Sequence, residues 1–235
     1  MKTDVLAFGI HPDDIELGCA GALFGLKKEG KSIGLVDLSE GELGTRGSPE
    51  TRAREALAAA RLLGARFRVN MKFADGFFQK DNASVLALIE VIRDCQPEYV
   101  FCNAPVDRHP DHGRASELVR EACFYSGLIK IRTRGNQKTH RPKLVFQYIQ
   151  DRPLKPDLIL DISPFFEKKM KAIQCFSSQF YSPGLKGPKT PISGKEFLKV
   201  VESKARIHGR EIGVEFGEGF VLERTPGIKS IYNIL

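Results

Sequence analysis

Short apolar runs alternate with longer amphipathic segments along the first half of the chain. The run Val5-Leu6-Ala7-Phe8-Gly9-Ile10 and the run over residues 32–38 are typical of buried strands. Pro49 to Leu63 is rich in Ala, Leu, Arg and Glu and is followed by Gly64, which predicts a helix with defined ends. The same patterns predict further strands and helices: strands near 67–70 and 98–103, helices near 14–29, 84–95 and 112–125. Four βα units therefore fit this half of the chain.

The second half continues the pattern less regularly. Apolar runs predict strands at 144–149, 158–161 and about 214–220. Helices are expected at about 164–175, where Ser163 could cap the first turn, and at about 195–208. The Pro- and Gly-rich residues 182–191 are predicted to form a loop.

This order of elements predicts an α/β fold with a doubly wound sheet in the order 3-2-1-4-5. We expect a single domain over residues 1–235, built as a Rossmann-like three-layer sandwich with a mostly parallel sheet. In this topology strands 1 and 4 are neighbours whose connections leave in opposite directions. Their C-terminal ends then form the crevice in which such sheets bind ligands.

Two short polar strings follow these two strands. They are His11-Pro12-Asp13-Asp14 and His109-Pro110-Asp111-His112. Histidine and aspartate are natural zinc ligands, and a catalytic zinc site uses three protein ligands and keeps one position open. The sequence therefore predicts a metal site at the C-terminal ends of strands 1 and 4. Seen alone, Asp13, Asp14 or Asp111 could instead cap a helix.

The composition argues against nucleic-acid-binding, disulfide-rich and membrane-spanning proteins. The net charge of +7 is partly concentrated in residues 130–143, but no aromatic residues are interleaved there, so we expect a solvated loop face and no nucleic-acid partner. Five cysteines without a Cys-x-x-Cys pair suggest neither a disulfide framework nor a cysteine zinc site. No apolar run approaches the ~20 residues of a membrane span. We expect a soluble cytoplasmic protein without a membrane partner.

Three glycines follow the first strand, at positions 18, 21 and 25. A dinucleotide-binding Gly-x-Gly-x-x-Gly motif would begin at the turn itself, whereas here the turn is the first histidine string. We attribute these glycines to close packing of a helix on the sheet.

Longer motifs around these strings resemble a known family. Gly41-Glu42-Leu43-Gly44-Thr45-Arg46-Gly47 follows strand 2, and Asp107-Arg108-His109-Pro110-Asp111-His112-Gly113-Arg114-Ala115 follows strand 4. With the first string they resemble the LmbE-like (PIG-L) family of zinc-dependent N-acetylglucosamine deacetylases. Residues 171–180, 208–213 and 217–220 are similar to the branch of the family that makes bacillithiol by deacetylating N-acetylglucosaminyl malate.

The resemblance implies roles for the residues of both strings. His11, Asp14 and His112 would bind one Zn²⁺ per chain, a ligand set that Fe²⁺ can also occupy. Asp13 would act as general base, and a protonated His109, supported by Asp111, would stabilise the oxyanion.

The resemblance also implies contacts with an anionic sugar conjugate. Arg52 aligns with an arginine that faces the sugar, and Asp75 matches a ligand of a sugar hydroxyl. Glu42 and Arg46 are candidates because their loop borders the crevice, and Arg108 adds positive charge that suits a malate group. The bacillithiol branch further implies a homo-oligomer, such as a hexamer.

Three other functions stay open at this stage. The same ligands could serve a deacetylase of chito-oligosaccharides or of another N-acetylglucosamine derivative. A phosphoester hydrolase would hold two metals ~3.5–4 Å apart and would need Asp37, Asp107 and Glu16 as extra ligands. A nucleic-acid-binding protein would use a closed, purely structural metal site.

Overall fold

One seven-stranded sheet organises the computed structural model, which describes residues 2–184 and 187–235. The strand order is β3-β2-β1-β4-β5-β7-β6. The first five strands are parallel, and β7 runs antiparallel between β5 and β6. The strands are β1 (Val5–Gly9), β2 (Ile33–Ser39), β3 (Phe67–Phe73), β4 (Tyr99–Asn103), β5 (Leu144–Tyr148), β6 (Leu158–Asp161) and β7 (Gly217–Leu222).

In the described part of the chain, six α-helices cover the two faces of the sheet. They are α1 (Asp14–Lys28), α2 (Pro49–Leu63), α3 (Asn82–Cys95), α4 (Pro110–Tyr125), α5 (Phe166–Gln174) and α6 (Lys195–Glu211). Alternate residues of β1 point to opposite faces, as the period of a strand requires. Leu6 and Phe8 pack in the core beneath α3 and α4, whereas Val5 and Ala7 pack against α1 on the other face. The result is the predicted three-layer α/β sandwich.

The predicted strand order 3-2-1-4-5 is confirmed, and most element boundaries agree within a few residues. The last strand is displaced, because it begins at Gly217 rather than near residue 214. In the predicted loop, residues 185 and 186 lie outside the described residues, and its other residues form neither helix nor strand.

The prediction that Ser163 caps the fifth helix is wrong. A 3₁₀ turn over Ser163–Phe165 precedes α5, which begins at Phe166 without a side-chain cap. The hydroxyl of Ser163 instead accepts a hydrogen bond from the backbone N–H of Phe216, at 3.0 Å. Ser163 therefore ties the start of this helix to the residue before β7.

Two of the three glycines of α1 pack closely as predicted, whereas Gly25 does not, because a Cβ there would lie 3.4 Å from the ring of Phe165. A Cβ atom built on Gly18 would lie 2.1 Å from the ring of Tyr148, and one built on Gly21 would lie 2.7 Å from Ile162. Such distances are far inside van der Waals contact, so glycine at these two positions allows α1 to approach the sheet.

The basic segment is exposed as expected, including Lys130, Arg132 and Arg134. Within residues 2–184 and 187–235, none of the helices combines the length and apolar character needed to cross a bilayer.

Candidate metal centre

The two histidine strings meet because β1 and β4 are parallel neighbours. Val5 pairs with Tyr99 and Ala7 with Phe101, so both strands end at the same edge of the sheet. The ring centroids of His11 and His109 lie 4.7 Å apart, and those of His11 and His112 lie 5.7 Å apart. One nitrogen from each of the three imidazoles lies within 4.8 Å of the others.

Asp14 lies between two of these histidines. Its Oδ2 is 3.6 Å from Nδ1 of His11, and its Oδ1 is 3.4 Å from Nε2 of His112. Ligands about 2.0–2.2 Å from a tetrahedral zinc ion stand roughly 3.3–3.5 Å from one another. The donor chemistry of the three side chains therefore suits a divalent metal, and each histidine lies at about this distance from a different oxygen of Asp14.

Two further carboxylates, behind the histidines, determine which imidazole nitrogen faces Asp14. Asp75 Oδ1 lies 3.0 Å from Nε2 of His11, and Asp107 Oδ2 lies 2.7 Å from Nδ1 of His112. A carboxylate that accepts the far N–H of a histidine leaves the near nitrogen with its lone pair toward a metal. Sequence reasoning gave neither residue this role.

Asp14 itself is held by amides from two neighbouring strands. Its Oδ2 accepts hydrogen bonds from the His11 backbone N–H and from Nδ2 of Asn103, both at 3.0 Å. Its Oδ1 accepts a hydrogen bond from Nε2 of Gln150 at 2.8 Å. Asn103 ends β4 and Gln150 follows β5. Sequence reasoning missed both, and their position after central strands was the one available signal.

The histidines and carboxylates of the site shift one another's pKa values. Burial by itself lowers the pKa of His11, but hydrogen bonds to Asp14 and Asp75 outweigh burial and raise that pKa to about 10. Despite its burial, Asp14 has a pKa well below the usual value, because His112 and His11 stabilise the carboxylate. The carboxylates thus favour positive charge at this position.

Asp13 occupies an unusual backbone conformation, with φ of 151°. Residues in such sparsely populated regions cost about 1–3 kcal/mol and persist only where their surroundings hold them. Arg52 contacts this turn, because its Nη2 donates to the Pro12 carbonyl at 3.0 Å and lies 3.3 Å from Asp13 Oδ2. Burial raises the pKa of Asp13 to about 7, and the guanidinium of Arg52 opposes that rise. Asp13 precedes α1 without capping it through its side chain.

His109 caps α4 and has a lowered pKa. Its Nδ1 accepts a hydrogen bond from the backbone N–H of Asp111 at 3.3 Å. Burial lowers the pKa of His109, and the charges of His11 and His112 lower it further. With Nδ1 as an acceptor, Nε2 is the nitrogen of His109 that carries the proton in the neutral ring, and the protonated ring that the resemblance implies stays a prediction.

The carboxylate of Asp111 has other partners than the predicted one. It accepts a hydrogen bond from the Gly76 N–H at 2.9 Å and forms an ion pair with Arg114. Its charge favours protonation of His109, but its described hydrogen bonds hold the neighbouring loop rather than the imidazole.

A cavity of about 300 Å³ opens onto this centre. Three of the predicted substrate-binding residues, Arg52, Asp75 and Arg108, line it. α6 forms part of the opposite wall with apolar side chains, including Phe197 and Val200.

The other two predicted substrate contacts do not line the cavity. Glu42 accepts a hydrogen bond from the backbone N–H of Asp75 at 2.7 Å. Arg46 donates to the carbonyl oxygens of Ser178 and Pro188, each at 2.8 Å. Both side chains hold loops in place because backbone groups of distant segments lie within their reach.

The extra ligands that a two-metal phosphoesterase would need are engaged elsewhere. Arg68 pairs with Glu16 at 2.6 Å and with Asp37 at 2.7 Å, and all three side chains are buried. The third candidate, Asp107, bonds His112. This geometry disfavours that alternative.

The comparison with family models agrees with the site. Residues 6–123, which contain both histidine strings, match the family described as PIG-L: GlcNAc-PI de-N-acetylase. The chain belongs to the PIG-L family. It is therefore a member of a family of metal-dependent deacetylases, as the resemblance implied.

Two solved structures are similar to this PIG-L protein over nearly its whole length. The conserved protein TT1542 from Thermus thermophilus is 34% identical, with a TM-score of 0.87 over 97% of this chain and 98% of that one. The N,N'-diacetylchitobiose deacetylase from Pyrococcus horikoshii is 26% identical, with a TM-score of 0.79 over 94% of this chain and 84% of that one.

One relative is named for a different reaction. The 4-oxalmesaconate hydratase of Pseudomonas putida is 28% identical over 76% of this chain and 74% of its own length. Membership of the PIG-L family thus shows the fold and does not by itself identify the substrate.

Proposed function

We propose that this PIG-L protein removes the acetyl group from an N-acetylglucosamine conjugate, with N-acetylglucosaminyl malate as the preferred substrate. One observation carries the proposal: the buried carboxylate of Asp13, which contacts Arg52, lies beside the three side chains proposed to bind the metal. These three are His11, Asp14 and His112. Similarity of the C-terminal motifs to the bacillithiol branch supports the malate conjugate, as does Arg108 on the cavity wall. In this proposal the ligand is a small anionic sugar conjugate, not nucleic acid or a membrane.

His11, Asp14 and His112 would hold the metal, with Zn²⁺ as the proposed ion. A divalent metal bound there would acidify water and polarise the carbonyl of the acetamide. Asp13 accepts the proton of the attacking water, and burial, which raises the pKa of its carboxyl, makes it a stronger base. Nε2–H of His109 donates to the carbonyl oxygen as that oxygen gains negative charge.

The same two side chains complete the reaction. Asp13 returns its proton to the sugar nitrogen as the C–N bond breaks, so that acetate and a free glucosamine amine leave. Arg52 keeps the Asp13 carboxylate in place throughout, through its contacts with Asp13 and Pro12.

A second candidate substrate is a chito-oligosaccharide. The similarity to the Pyrococcus diacetylchitobiose deacetylase favours it, because that substrate presents the same acetamide. The cavity and the chemistry of Asp13 and His109 would serve both substrates.

The test measures acetate and free-amine release by zinc-loaded protein from N-acetylglucosaminyl malate and from N,N'-diacetylchitobiose at equal concentration. Turnover of the malate conjugate alone supports the whole proposal, and turnover of chitobiose alone keeps the reaction and rejects the malate substrate. Inactivity on both contradicts the deacetylase proposal.

Variants test the roles. Asp13→Ala is expected to keep zinc and lose nearly all turnover, because it lacks the base. His11→Ala is expected to lose the metal. An active Asp13→Ala enzyme would remove Asp13 as base, and a His112→Ala protein that binds zinc with normal affinity would overturn the ligand assignment.

A further inference from the structure

Gln150 contacts the central carboxylate of the metal centre from a strand that carries neither histidine string. It follows β5, whose C-terminal end meets the same edge of the sheet as β4. Its Nε2 donates a hydrogen bond to Asp14 Oδ1 at 2.8 Å, and this oxygen is the one 3.4 Å from Nε2 of His112. We propose that Gln150 is a positioning residue that orients Asp14 for metal binding, and that Lys204 of α6 holds Gln150 in place.

The two oxygens of Asp14 are held unequally. Oδ2 accepts hydrogen bonds from the His11 backbone N–H and from Asn103. Among the described hydrogen bonds, Oδ1 accepts from Gln150 alone. Without the Gln150 amide, the carboxylate would keep both donors on one oxygen and none on the other. The oxygen that faces His112 would then lose its fixed orientation.

The backbone of residues 150–152 is held by hydrogen bonds to two side chains, those of Lys204 and Asp107. On one side Nζ of Lys204 donates to the Gln150 carbonyl at 2.9 Å and also to the carbonyl oxygen of Asp151. On the other side Asp107, which also bonds His112, accepts a hydrogen bond from the Arg152 backbone N–H at 2.7 Å. These contacts fix the backbone of residues 150–152, so the Gln150 side chain is aimed at Asp14.

α6 therefore belongs to the support of the metal centre as well as to the cavity wall. Lys204 is the contact through which the helix reaches the segment, and it donates to main-chain oxygens that do not depend on side-chain rotamers. Outer contacts that orient metal ligands typically change metal affinity by about 10–100-fold when they are removed. We expect metal affinity to fall by a factor in that range when the Gln150 amide is removed. The fall should be smaller when the Lys204 ammonium is removed, because Lys204 contacts the backbone of Gln150 and not Asp14.

The experiment compares two substitutions with matched controls. Gln150→Met keeps the size of the side chain and removes its amide, and Lys204→Met removes the ammonium group. Gln147→Met is the control for the first, because Gln147 on β5 accepts a hydrogen bond from Ser116 of α4 and has no described hydrogen bond to the metal-site residues named above. The control for the second is Lys199→Met, whose lysine bonds only Glu196 in the described part of α6.

Metal affinity is measured by competition of each protein with a chelator for Zn²⁺, and the visible absorption of the Co²⁺-loaded proteins reports ligand geometry. Gln150→Met is expected to bind Zn²⁺ about 10–100-fold more weakly and to shift the Co²⁺ bands. Gln147→Met and Lys199→Met should match the wild type in both measurements. Lys204→Arg should retain more affinity than Lys204→Met, because a guanidinium can still donate to the two carbonyl oxygens.

This inference rests on the metal centre of the proposed function, and the measurements separate their failures. If the wild-type protein binds no Zn²⁺ at the site, both are overturned. If the wild type binds Zn²⁺ and both Gln150→Met and Lys204→Met bind it equally well, only the positioning role is overturned. Lys204 is partly exposed, so its variant tests the proposal even if Gln150→Met fails to fold.

Discussion

Asp75 Oδ1 lies 3.0 Å from Nε2 of His11, and this contact turns Nδ1 of the same imidazole toward Asp14. The family resemblance gave Asp75 a contact with a sugar hydroxyl. Its carboxylate lines the cavity, but Oδ1 faces His11 and Oδ2 accepts the Leu43 backbone N–H at 3.0 Å. The geometry therefore places Asp75 behind a metal ligand as well as beside the substrate cavity.

Replacing Asp75 by alanine is expected to weaken Zn²⁺ binding about 10–100-fold, because His11 would lose the partner that fixes its tautomer. Chelator competition measures the change. If Asp75 served the substrate alone, the variant would show a raised KM with unchanged Zn²⁺ affinity, and the role in orienting His11 would be wrong.

Arg68 on β3 pairs with two buried carboxylates, those of Glu16 and Asp37. Arg68→Met should lower the free energy of unfolding by about 3–5 kcal/mol, because it leaves buried charge without a partner. Urea unfolding monitored by circular dichroism checks the value. Arg66→Met provides the comparison: Arg66 donates to the Lys2 carbonyl at an exposed position, and its loss should cost less than about 1 kcal/mol.

The sequence was sufficient to predict the residues of the site that directly follow a strand in the chain. Each histidine string stands next to its strand, and the order of apolar runs places β1 beside β4, so the convergence of His11 and His112 could be predicted. Arg68 reaches Glu16 on α1 and Asp37 on β2, and no spacing along the chain marks three such distant residues as partners.

Two further features depend on the assembled fold. Gln150 belongs to no motif, and its contact with Asp14 exists only because β5 lies beside β4. Asp13 has a φ of 151° and contacts Arg52 of α2, and an Asp-Asp pair looks the same in sequence whether or not such a contact exists. Local patterns therefore predicted which side chains converge at this edge of the sheet, whereas the contacts that hold them depend on the assembled fold.

His208 has a depressed pKa at the edge of the cavity. Burial lowers the pKa of its imidazole below the usual 6.5, and Lys169 and Lys204 lower it further, while Glu211 and Glu218 act in the opposite direction. Between the lowered pKa and 6.5 the unfolded chain binds more protons at this residue than the folded one. The contribution of His208 to the free energy of unfolding therefore falls as the pH drops below about 6.5.

His208→Gln should remove this contribution. The wild-type protein should lose up to about 1.4 kcal/mol of stability per pH unit more than the variant over that interval. Urea unfolding at several pH values between 7 and 5 gives the two slopes. Parallel stability curves for the two proteins would show that His208 titrates normally in the folded state.

Gly18 and Gly25 occupy the same helix, yet alanine should have opposite effects at the two positions. At Gly18 an added Cβ would lie 2.1 Å from the Tyr148 ring, and that ring cannot retreat easily because its hydroxyl donates to the Phe8 carbonyl at 2.9 Å. Gly18→Ala should therefore destabilise the protein by about 1–3 kcal/mol through overpacking.

At Gly25 the nearest atom to an added Cβ is 3.4 Å away on Phe165, which is ordinary contact. Gly25→Ala should stabilise the protein by up to about 1 kcal/mol, because alanine loses less backbone entropy in a helix. Thermal unfolding of both variants measures the pair. Equal effects at the two positions would mean that helix propensity, not the approach of α1 to the sheet, explains the glycines.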